Sequence, residues 1–148
     1  MAFHFPLEAV LHFRQSIEHQ QELRLRAANQ MVARVGQRME QVDAQRQELH
    51  STQSLKLSSG MTAVELQFEL LCEGELLRRR RELEQQLARL EQLREQQREI
   101  FQQARRARET LKAVRDRQLR LHQKQAQRRE QRSLDDLFLL QREYGRRG

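Results

Sequence analysis

The side chains best suited to hold a metal or attack a substrate are five histidines (His4, His12, His19, His50 and His122) and one cysteine, Cys72. Zinc sites draw on His and Cys ligands at short, fixed spacings, and these histidines show no such spacing, with no second cysteine to join them. The chain has no glycine-rich loop to cradle a phosphate and no Gly-x-Ser-x-Gly turn to expose a nucleophile. Carboxylates are abundant, but solvated carboxylates on helix faces ionise normally and are poor acid-base catalysts. Cys72, without a catalytic neighbour in the sequence, is expected to act as a small apolar residue. The expectation is a protein that is not an enzyme and carries no metal and no cofactor.

What remains is the chemistry of recognition. The formal net charge is +7. The excess is local, because residues 105–132 hold eleven Arg or Lys against three acids, Glu109, Asp116 and Glu130. Such a block can neutralise phosphates by counterion release. A sequence-specific basic-zipper reader would also need interleaved aromatics and a zipper directly after the block, and both are missing, so no specific nucleic acid is expected. A solvated charged face, or docking into a protein opening of complementary charge, explains the block better. Arg78, Arg79, Arg80 and Arg81 could anchor an acidic partner, but the outer positions of any coiled coil look the same. A second apolar stripe is more informative. Phe68, Leu70, Leu71, Cys72, Leu76 and Leu77 form a denser apolar surface than one helix seam consumes, which marks either a candidate partner site or ordinary packing under the loop.

The elements that carry these residues follow from what the chain lacks. It has one proline, five glycines and no tryptophan, and a third of its residues are charged, so long helices meet few interruptions. Pro6 suits a helical first turn, with Glu8 near the positive end of the dipole. Helix 1 is expected over about residues 6–56, with a seam through Val10, Phe13, Ile17, Gln21, Leu25, Ala28, Val32, Val35, Met39, Val42, Arg46 and Leu49. Ser58-Ser59-Gly60 predicts a turn at about 57–61, and Thr62 with Glu65 forms a capping-box pattern for helix 2 over about 62–142. Its seam is expected to run through Leu76, Leu83, Leu87, Leu90, Leu93, Gln97, Ile100, Ala104, Ala107, Leu111, Val114, Gln118 and Leu121. The fold class is therefore all-α, a long antiparallel two-helix coiled-coil hairpin with a longer second helix, forming one domain over 1–148. Folding about residue 59 places residue i opposite about 118 − i, so Leu7 is expected near Leu111. Gly74 allows a kink or a close backbone approach. Leu137-Phe138-Leu139-Leu140 is more apolar than a solvated tip needs, so something is expected to cover it.

A lone cysteine fits a reducing compartment. The start Met1-Ala2-Phe3-His4-Phe5-Pro6 lacks the basic and apolar regions of a secretory signal, and no run of apolar residues is long enough to span a bilayer. A cytoplasmic location is expected.

Three features together resemble one family. The opening Phe3-x-Phe5-x-Leu7-x-x-Val10-Leu11-x-x-Arg14, the glutamine-rich hairpin, and the closing Arg129-Glu130-Gln131-Arg132-x-Leu134-Asp135-Asp136 look like the bacterial flagellar export protein FliJ family, over essentially the full length. The resemblance implies a non-enzymatic component of the flagellar type III export apparatus, peripheral on the cytoplasmic face of the inner membrane at the flagellar base. Its implied partners are the hexameric export ATPase, which it enters as a central stalk, the cytoplasmic domain of the membrane export gate protein, and export chaperones. Carried over onto this sequence, ATPase-ring contacts fall on Phe3, Phe5, Leu7, Leu11, Arg14, Glu130, Gln131, Leu134 and Asp135. Gate contacts fall on Phe68, Leu71, Cys72, Glu75 and Arg79, although Gly74 interrupts that stripe and Glu75 stands where an apolar residue is expected. The rival reading is a cytoplasmic structural or nucleic-acid-associated basic coiled coil, which would self-associate as parallel dimers.

Overall fold

A computed structural model describes residues 2–148. Two helices, α1 (Glu8–Ser59) and α2 (Ala63–Arg147), make up the fold, and the described residues contain no strand. The second helix is the longer, at 85 residues against 52. The chain divides into two compact units, one comprising Met1–Glu18 with Gln103–Gly148 and the other His19–Gln102.

The unit His19–Gln102 is an antiparallel helical hairpin. Gly60, at φ +100°, adopts a backbone conformation that a residue with a Cβ rarely takes, and it ends α1. The hydroxyls of Ser58 and Ser59 donate to the Leu55 carbonyl at 2.7 and 3.1 Å, satisfying an acceptor that the helix end leaves open. Thr62 caps α2, its Oγ1 accepting from the Glu65 backbone N–H at 3.2 Å. On α1, Val35 and Val42 are buried and Ala28, Val32, Met39 and Leu49 half-buried, the column of the expected seam.

The pairing register differs from the sequence expectation. Lys56 meets Glu69 and His50 meets Glu73, where folding about residue 59 would set residues 62 and 68 opposite them. The cause is the turn: α1 continues through Leu57-Ser58-Ser59, so the chain reverses around Gly60-Met61-Thr62. Among the hydrogen bonds and ion pairs of the described residues, a long-armed glutamine pair alone keeps the expected sum, with Gln97 Nε2 donating to Gln21 Oε1 at 2.6 Å.

The seam of α2 also departs from expectation. In this unit Leu83, Leu87, Leu90, Arg94, Gln97 and Phe101 are half-buried, whereas Leu93 is 56% exposed and Ile100 is exposed too. Stepping from Leu90 to Leu93 follows apolarity but repeats the three-residue step from Leu87. The helix keeps the alternation of four and three that holds one face toward α1. Gly74 lies within uninterrupted helix, and nothing lies within 4 Å of where its Cβ would stand, so it serves no close approach.

The other unit joins the N-terminal segment and the start of α1 to the C-terminal part of α2. Pro6 lies in the turn before α1, and the Glu8 N–H donates to the Phe5 carbonyl at 3.1 Å. Phe5 and Leu11 are its core, at 3% and 1% exposure. Phe3 packs against His122 with the rings tilted by 59° and their centroids 5.6 Å apart. The expected seam positions Ala104, Ala107 and Leu111 are half-buried, but Val10, Phe13, Val114 and Leu121 are exposed, and Arg108, Arg115, Leu119 and His122 are half-buried instead. Leu7 was expected near Leu111, but Glu8 pairs with Arg115. Every residue from 123 to 148 is exposed, including Leu137, Phe138, Leu139 and Leu140, so nothing in the described chain covers that apolar run.

Candidate functional site

In the hairpin unit, the α2 stripe forms one wall of an open groove of about 960 Å³. Phe68, Leu71, Cys72, Glu75 and Arg79, placed there by their spacing along one helical face, all line it. Phe68 and Leu71 are 67% and 74% exposed, while Cys72 is half-buried. Leu49 of α1 and Val64 at the start of α2 extend the apolar lining, and sequence reasoning missed both. Val64 was legible, since it lies one turn before Phe68. The contribution of α1 was not, because it depends on the register.

Charge around the groove is ordered. Glu75 accepts from Arg78 at 2.7 Å and lies 3.7 Å from Arg79, so the acid that interrupts the apolar stripe is neutralised locally. The Glu75 hydrogen bond, followed by the charges of Glu75 and Glu82, raises the Arg78 pKa. Below the rim, buried Glu69 accepts from Lys56 at 3.1 Å through Oε1, and its Oε2 has no protein partner. Together with the ion pair of Arg80 with Asp43, these contacts tie α2 to α1 beside the groove.

In the other unit the family-implied ATPase contacts separate into two kinds. Phe5 and Leu11 are buried and Phe3 is engaged with His122, so these three hold the N-terminal segment against α2. Leu7 and Arg14 are exposed beside them. Glu130, Gln131, Leu134 and Asp135 are exposed on α2, where Gln131 donates to Asp135 at 3.1 Å. Among the described residues no hydrogen bond or ion pair joins the N-terminal set to the C-terminal one.

The seam of this unit is unusually polar, and its arginines explain why. Arg108 grips Glu18 with two hydrogen bonds, of 2.6 and 3.1 Å, which raise the guanidinium pKa against the opposing effect of burial. Arg115 Nε lies 3.4 Å from Glu8 Oε2, within ion-pair range but outside hydrogen-bond geometry. Their aliphatic stems fill seam positions while the charged heads find carboxylates on α1.

Among the described residues no group of three or more His, Cys, Asp or Glu is placed to hold a metal ion, and no helix is long and apolar enough to cross a membrane. The surfaces just described suit the binding of other macromolecules. The family model of the flagellar FliJ protein matches residues 3–148, essentially the whole chain.

The chain belongs to the FliJ family.

Membership makes this FliJ-family chain a component of the flagellar protein-export machinery, in a family whose members are structural and not enzymatic. No curated protein and no solved structure matches the chain.

Proposed function

We propose that this chain is the central stalk and adaptor of the hexameric flagellar export ATPase, that it couples the ring to the cytoplasmic domain of the membrane export gate, and that it escorts export chaperones. The observation that carries this reading is the uncovered apolar run at Leu134, Leu137, Phe138, Leu139, Leu140 and Tyr144. Burying one large apolar side chain is worth about 1.5–3 kcal/mol, so a partner that encloses several gains enough to bind. The FliJ resemblance supplies the partner: the ATPase ring receives the terminal residues, and Leu7, Arg14, Glu130, Gln131, Leu134 and Asp135 are the ones exposed to meet it. The cytoplasmic setting at the flagellar base belongs to the same proposal.

Gate binding falls to the groove lined by Phe68, Leu71, Cys72, Glu75 and Arg79. The deciding experiment is capture of the purified cognate export ATPase by this protein, followed by the ATPase rate with and without it at physiological salt. Binding with raised turnover supports the stalk. No binding, together with a parallel dimer or retention on DNA, moves the assignment to the rival coiled coil. For the gate, Phe68→Ala should leave circular dichroism unchanged, because the ring is exposed, and weaken capture of the gate's cytoplasmic domain. Undiminished capture removes Phe68 from that interface.

A further inference from the structure

A second groove in the hairpin unit belongs to neither proposed partner surface. It has a volume of about 420 Å³ and lies between α1 and α2, well along the helices from the turn. Its apolar lining comes from Met31, Leu90 and Leu93 over a buried Val35, and three guanidiniums, Arg34, Arg38 and Arg89, line it with them. Met31 and Leu93 are both more than half exposed. Leu93 is there because α2 keeps its seam on Arg94 and turns this leucine outward.

The charge at this groove is uncompensated. None of the three arginines has a carboxylate within ion-pair distance among the described residues, whereas Arg78 and Arg80, nearer the turn on α2, both do. The sequence explains this. On α1 the helical face through residues 24, 27, 31, 34, 38, 41 and 45 carries no acid, and on α2 residues 86, 89, 93 and 96 carry none. Where an acid does stand three or four residues away, a pair can form, as in Arg26 with Glu22 and Arg105 with Glu109.

We propose that this groove binds an amphipathic helix of a protein partner, one whose apolar ridge is flanked by Asp or Glu. A groove between two helices receives the ridge of a third through anchors at i, i+3 or i+4, and i+7. Met31, Leu90 and Leu93 meet those anchors, and Arg34, Arg38 and Arg89 pair with the flanking carboxylates. A nucleic-acid backbone fits less well, because phosphates gain nothing from the apolar lining. The groove shares no residue with the proposed ATPase and gate contacts, so the inference stands apart from the stalk reading.

The test titrates the full-length protein with a fluorescent designed helical peptide bearing Leu anchors flanked by Glu, and with its Lys-flanked counterpart. The Glu peptide should bind at least about tenfold more tightly than the Lys peptide, a difference of about 1.4 kcal/mol. The triple substitution Arg34→Glu, Arg38→Glu and Arg89→Glu should remove that preference with unchanged circular dichroism. Leu93→Ser should weaken the Glu peptide, and Arg128→Glu with Arg129→Glu, outside the groove, should leave the fold-preference in place. Equal binding of the two peptides overturns the proposal, as does Glu-peptide binding indifferent to the groove substitutions. Duplex DNA affinity lost selectively in the arginine triple variant reassigns the groove to phosphates. Concentration-dependent self-association abolished by the same variant reassigns it to a second copy of the chain.

Discussion

At the scale of single residues, the N-terminal segment shows how one short motif divides its labour. Phe5 and Leu11 carry the family pattern but are consumed by packing, while Leu7, two residues after Phe5, is 43% exposed. The two leucines should therefore fail differently. Leu11→Ala removes a fully buried side chain and should cost about 3 kcal/mol of stability, read by urea denaturation. Leu7→Ala should leave the denaturation midpoint nearly unmoved and lower ATPase capture. Equal losses of stability would show that Leu7 too serves packing. Residue types alone did not separate these roles, because apolar positions in a motif look alike until the partner helix is placed against them. The Arg108–Glu18 pair was illegible for the same reason, since its partners lie far apart in sequence. The raised Arg108 pKa means that the guanidinium's share of stability is fully present below the unfolded-state pKa. It is lost only as pH rises through the higher folded-state value, so it is constant across the neutral range.

At the scale of elements, α1 was legible and α2 partly so. The seam Ala28-Val32-Val35-Met39-Val42-Leu49 stands out because its apolar residues coincide with strict four-three spacing. On α2 beyond Leu90, apolar residues and spacing disagree: Leu93, Ile100, Val114 and Leu121 are outside while Arg94, Arg108 and Arg115 are inside. Spacing prevailed because an arginine stem buries apolar surface, and the heads of Arg108 and Arg115 reach carboxylates on α1. Two glycines test the element descriptions directly. Gly74→Ala should stabilise by about 0.5–1 kcal/mol, because the site is helical and open. Gly60→Ala should destabilise by about 1 kcal/mol or more, because its positive φ strains any residue with a Cβ. Thermal midpoints moving up for the first and down for the second would support unbroken helix at Gly74 and a left-handed turn at Gly60. A fall for Gly74→Ala would instead restore the kink or close approach that the sequence allows there.

At the scale of the whole molecule, the chain leaves apolar and basic surface unused by its own packing. The block at residues 105–132 contributes more than the entire net charge of +7, and only Arg105, Arg108 and Arg115 within it have carboxylate partners among the described residues. Beyond His122 no residue is even half-buried. Side chains that make no tertiary contacts contribute little to the folding equilibrium, and a helix standing alone gains only what its own residue propensities supply. Truncation after Gln127 should therefore reduce the helical circular dichroism signal roughly in proportion to the helix removed, yet shift the thermal midpoint by no more than about 2 °C. Phe3 and His122 are retained, so the packing of the N-terminal segment should survive. The same truncation should abolish stimulation of the export ATPase, because it removes Glu130, Gln131, Leu134 and Asp135 together with the apolar run. A large drop in midpoint would mean that the C-terminal residues fold back to support the helices, and that their exposed leucines serve stability. An unchanged midpoint with ATPase stimulation intact would leave Leu7 and Arg14 as the surviving candidates for contact with the ring.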